Sequence, residues 1–222
     1  MNSTAGKKIE KFILLLLVMT FALHNFSAQE TEDHLKHISC KKSSADSLYD
    51  CVEEAVSHVL TYYPNLKEVD VQFVFKKLRG SMEARPKYGS LIRSRKKRSY
   101  HVFVNIDKSS TGVLISDMNP DQRIGLIGHE FAHILDYSTK SSFRLIWEGV
   151  KYILSKKFRR KFERETDLRT IENGLGAELE QFSIFIHTDT NITHSYRKRL
   201  EEFYMTTDEI TSSKKKKKRK RK

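Results

Sequence analysis

Apolar residues recur at helical spacing through Ile124, Ile127, Phe131, Ile134 and Leu135. Asn119-Pro120-Asp121-Gln122 just before them supplies an N-cap, a proline for the first turn and an acid that favours the helix dipole. The pattern predicts a long helix with one buried face. Gly125 and Gly128 weaken that helix, and the use for them is close approach of another backbone or of a substrate. Upstream, Leu48, Val52, Ala55, Val56 and Val59 mark a helix over residues 45–62, capped by Ser43 or Ser44 and stopped at Pro64-Asn65. Val69, Val71, Phe73 and Phe75 alternate as a strand, and Arg79-Gly80-Ser81 turns the chain. Residues 88–93 and 100–106 read as the arms of a hairpin with a solvated basic tip at 95–98. Its second arm is an edge strand before the long helix, where an extended peptide can add to the sheet.

Further helices are predicted over 143–154, with Trp147 in the core, over 159–172, closed by Asn173-Gly174, and over 177–187 and 195–204. Lys156, Lys157, Arg159, Arg160 and Lys161 form a solvated face. From Thr211 the chain turns polar, then purely basic, and is expected to be disordered. These elements make an α+β domain, mainly helical, with a small antiparallel-containing sheet.

The chain has 222 residues and a net charge of +13. Nine of those charges belong to the run that opens at Lys214 and closes at Lys222, leaving +4 for the rest. The body therefore lacks a nucleic-acid binder's composition, while the tail suits an anionic polymer or membrane surface. Lys7, Lys8 and Lys11 precede the apolar run FILLLLVMTFAL at residues 12–23, too short to span a bilayer comfortably and suited to an export signal. Cleavage after Ala28 gives a domain over 29–210. Without cleavage the run is an anchor, and Phe26 is large for a cleavage site. Cys40 and Cys51 can form a disulfide if Cys40 folds back from outside the first helix.

The long helix contains His129-Glu130-Phe131-Ala132-His133. Histidines four apart lie one above the other on a helix and can share a metal. Glu130, about 100° further round, sits beside that metal, where a general base for an activated water belongs. A catalytic zinc needs a third protein ligand. Glu163, Glu165 and Asp167 are the downstream candidates. Glu163 and Asp167 share a helix face, so Glu163 can reach the metal while Asp167 accepts the second ring N–H of a ligand histidine.

In these residues the sequence resembles the gluzincin metallopeptidases, and within them the group of CAAX prenyl proteases and bacterial membrane heat-shock peptidases. That group carries His-Glu-x-x-His and then Glu-x-x-Ala-Asp. Here Glu163-Arg164-Glu165-Thr166-Asp167 follows, with Thr166 in place of alanine. The resemblance covers residues 119–200 and implies a zincin-like fold, zinc as cofactor, Glu163 as third ligand and Asp167 behind a histidine. It implies oxyanion roles for His194 and Arg199, although Ser195 replaces the family's proline and the spacing is one residue short; Tyr196 competes for that role. The multi-span membrane helices of those relatives are missing. The expected activity is zinc-dependent endopeptidase action on a peptide or protein substrate. The alternatives are a zinc-containing binding module without turnover, and an anionic-surface binder that uses the basic tail.

Overall fold

The computed structural model describes residues 39–40 and 46–220. In chain order its elements are β1 (Ser39–Cys40), α1 (Asp46–Tyr62), β2 (Val71–Lys76), β3 (Met82–Pro86), β4 (Tyr100–Asn105), α2 (Pro120–Thr139), α3 (Ser142–Leu154), α4 (Lys156–Asn173), α5 (Gly176–Thr188), α6 (His194–Phe203) and α7 (Thr207–Lys220). The fold is mainly helical with one small mixed sheet. Its strand order is β1-β2-β4-β3. The export signal, the proposed caps Ser43 and Ser44, the Cys40 side chain and residues 221–222 lie outside the described residues; Cys51 is a free thiol on α1.

Helix α2 is the axis of the core. It packs against α1, α4, α5 and β3, and every residue from Gly125 to Ile134 is buried. Its start is fixed as the sequence predicts. Asn119 accepts from the Gln122 N–H, Gln122 answers to the Asn119 N–H, and Pro120 opens the first turn. Gly125 lies against α5 so closely that a Cβ there would sit 2.2 Å from the Glu178 carbonyl oxygen. Gly128 leaves room for Leu175, and its own carbonyl accepts the Tyr63 hydroxyl at 2.8 Å.

Strands β2 and β4 run parallel, from Val71 beside Tyr100 to Lys76 beside Asn105. Strand β3 runs antiparallel to β4, from Met82 beside Val104 to Pro86 beside Tyr100. This corrects the predicted hairpin. Its first arm is β3, and residues 88–93 instead contain a 3-10 turn at Tyr88–Ser90. Strand β4 is therefore internal, and β3 is the edge strand beside it. The basic tip is solvated as expected at Arg95, Lys96 and Lys97, and only Arg98 departs from it. Arg98 is buried and donates to the Tyr137 and Lys140 carbonyls at 3.0 Å, closing the C-terminal end of α2, where a cation meets the negative end of the helix dipole.

Two further expectations change. Trp147 is not core: it is 51% exposed on the outer face of α3. The segment from Thr211 continues helix α7 through Lys220 rather than being disordered. Ile210 packs with Ile171, Leu179 and Met205, Lys214 pairs with Glu180, and Lys217 donates to the Ile171 and Glu172 carbonyls at the end of α4. Two acids in the first turn of α7 and lysines further along suit its dipole. Helix α4 itself ends as predicted, at Gly174 with φ +117°.

Candidate metal centre

Helix α2 places His129 and His133 one turn apart, and α4 crosses it to bring Glu163 between them. Glu163 Oε2 lies 3.3 Å from His129 Nε2 and 3.2 Å from His133 Nε2. All three side chains are buried, and among the described residues they form a group able to hold a metal ion.

The hydrogen bonds behind the rings decide which nitrogens face inward. His129 Nδ1 lies 2.8 Å from Asp167 Oδ1. A carboxylate can only accept, so Nδ1 carries a proton, and in the neutral ring Nε2 presents its lone pair. Asp167 Oδ2 is fixed by the Met205 N–H at 2.8 Å. For His133 the partner is Thr166 Oγ1, 3.2 Å from Nδ1. That hydroxyl spends its one proton on the Phe162 carbonyl at 3.0 Å, so it accepts from Nδ1–H, and in its neutral form His133 also turns the Nε2 lone pair towards Glu163. Tyr137 and Phe162 lie nearly parallel to the His133 ring, at centroid distances of 5.8 and 5.3 Å, and Tyr204 sits 5.3 Å from the His129 ring. The other Glu163 oxygen accepts from the Tyr152 hydroxyl on α3.

Three lone-pair donors thus converge. Ligands of a tetrahedral zinc, each about 2.0–2.1 Å from the ion, stand about 3.3–3.4 Å from one another. The two distances to Glu163 Oε2 fit that spacing, and all three donor atoms lie within 4.8 Å of one another, so the group could hold a cation. Protons compete with a cation for these lone pairs. Burial opposes a charged His129 ring, but the Asp167 and Glu163 hydrogen bonds outweigh burial and push it up to about 10. Burial alone would raise Glu163, yet the His133 and His129 rings hold its carboxyl well below the usual range.

Glu130 is buried on the same helix, and its Oε2 accepts the Ala84 N–H of β3 at 2.6 Å. Burial raises this carboxyl above its ordinary value, while the two histidine rings and the Ala84 bond act against burial. The edge strand therefore grips the residue next to the metal group.

The other predicted residues are placed differently. His194 is exposed at the first position of α6. Arg199 donates to the Arg79 carbonyl and lies over the Tyr196 ring. Tyr196 is buried, with its hydroxyl 2.8 Å from Ser81 Oγ. Glu165 is exposed and pairs with Lys161, not with the histidines. Sequence reasoning missed Tyr152, Tyr204 and Ala84, which no spacing connects to the motif. It passed over Thr166, whose place beside Asp167 was visible. Comparisons with protein families, curated proteins and solved structures found no match for this chain.

Proposed function

We propose that the chain is a zinc-dependent endopeptidase of the gluzincin type on a zincin-like fold. The observation that carries the reading is the convergence of His129 Nε2, His133 Nε2 and a Glu163 oxygen with Glu130 beside them. Two imidazoles and a carboxylate are a donor set that suits zinc and leaves a position open. Zinc held by His129, His133 and Glu163 would supply Lewis acidity, lowering the pKa of a water and polarising a carbonyl.

The chain's own residues do the rest. Asp167 and Thr166 hold the rings in the tautomers that ligation needs. Glu130 takes a proton from the attacking water and returns it to the leaving amine. The Ala84 N–H holds Oε2, which leaves Oε1 to carry that proton. An extended peptide lies along β3, the edge strand that already reaches Glu130 through Ala84, and adds to the sheet there. Of His194, Tyr196 and Arg199, Tyr196 takes the oxyanion role in this reading: it is the buried one, with its hydroxyl 2.8 Å from Ser81 Oγ on the turn that leads into β3.

Glu130→Gln tests the mechanism. The variant should keep its zinc and lose about a thousandfold in hydrolysis of unfolded protein or a peptide library. Undiminished turnover in Glu130→Gln contradicts the role of Glu130. A zinc-loaded parent that cleaves nothing points to a binding module instead.

A further inference from the structure

Helix α3 is amphipathic the wrong way round for a core helix. Phe143, Ile146, Trp147, Val150, Ile153 and Leu154 follow the i, i+3, i+4 spacing and share one stripe. That stripe faces outward: Phe143 is 81% exposed, Ile153 and Leu154 73%, Trp147 51% and Ile146 39%. The inward side carries Leu145, Tyr152 with its bond to Glu163, and Glu148 with its bond to Lys140. So large an apolar stripe on a soluble face marks an interaction surface.

The charges around the stripe indicate what covers it. Arg144 and Lys151 lie along one border, and Lys156 and Lys157 follow its C-terminal end. Glu148, the one carboxylate of α3, is drawn onto Lys140 and Arg144. A second copy of the chain would set these cations against their own kind. The face is also a convex ridge, not a groove. Thirteen residues make a helix about 20 Å long, enough to lie in a membrane interface and too short to cross it. No described helix is long and apolar enough to span a bilayer.

We infer that α3 is an interfacial helix that docks the protein on an anionic lipid surface, burying Phe143, Trp147, Ile153 and Leu154 among the acyl chains with Arg144, Lys151, Lys156 and Lys157 at the headgroups. This surface is separate from the basic tail on α7 and does not depend on the peptidase reading.

Trp147 is the only tryptophan in the chain, so its fluorescence reports this face alone. The experiment titrates the full chain with vesicles of phosphatidylglycerol and phosphatidylcholine in equal amounts. Trp147 emission should shift to the blue and become shielded from iodide. Vesicles of phosphatidylcholine alone should bind about tenfold more weakly or worse. The double variant Phe143→Ser, Leu154→Ser removes exposed side chains only, so it folds, and it should lose about tenfold or more in vesicle affinity. Emission that does not move, or a shift equally large in the double variant, overturns the assignment. So does Trp147 already blue-shifted and shielded without vesicles, which would mean that another segment or a second copy covers the stripe.

Discussion

At the scale of single residues, the candidate centre depends on two imidazoles each held by a hydrogen bond on the far side of the ring. Asp167 was legible in the sequence because it stands four residues after Glu163 on one helix face. Thr166 read only as a small departure from an alanine, because its use depends on the Phe162 carbonyl taking its proton. Thr166→Val keeps the shape and removes the acceptor. It should weaken zinc binding about tenfold to a hundredfold, with Thr166→Ser restoring it, as read by competition with a chelator. Protons should compete as well. With His129 raised to about 10 in the metal-free protein and near 6.5 when unfolded, the folded state binds the extra proton between those values. Its stabilising effect is complete below about 6.5 and is lost as pH rises through about 10. Metal binding must expel that proton. Near pH 8, calorimetry in buffers of different ionisation enthalpy should find about one proton released per ion, and affinity should rise with pH. Proton-neutral binding would contradict this picture of His129.

At the scale of elements, the long helix was legible because capping residues, apolar period and motif all agree on it. The glycine reading also holds at Gly125, where the neighbour is the Glu178 backbone and cannot move as a flexible side chain would. Gly125→Ala should therefore force α2 and α5 apart and cost about 3 kcal/mol in urea unfolding, despite alanine's better helix propensity. A neutral result would mean that the two helices are less tightly seated. The hairpin arm was misread for a physical reason. Met82 and Ala84 are the only apolar side chains that β3 turns inward, between Glu83 and Arg85, too short an alternation to stand out. Residues 88–93 carry more apolar surface but curl into a 3-10 turn. Periodicity also located the stripe of α3 without saying what it faces. A helix pattern gives the relative placement of side chains, and only the packing of α3 on α4 shows that Leu145 and Tyr152 point in while Trp147 points out.

At the scale of the whole molecule, elements distant in sequence close on one helix. Strand β3 holds Glu130, α3 holds Glu163 through Tyr152, α4 brings Glu163 and Asp167, and the chain entering α7 fixes Asp167 through Met205. Composition alone suggested that the last of these, the basic terminal segment, was loose. Its lysines instead meet Glu180 and the carbonyl end of α4, long-range contacts that a charge run cannot reveal. Histidine spacing and the downstream carboxylates were enough to find the three side chains that converge, whereas Tyr152, Ala84 and the Met205 N–H reach the group from elements that no spacing connects to it.

In the proposed reading His129, His133 and Glu163 hold one zinc ion. Elemental analysis of the purified full chain beside its Glu163→Ala variant puts this to the test. The expected result is about one zinc per chain in the parent, and loss of the metal in the variant while its far-ultraviolet circular dichroism stays that of a folded helical protein. A parent that takes up no zinc, or a variant that binds it as tightly as the parent, would overturn this assignment.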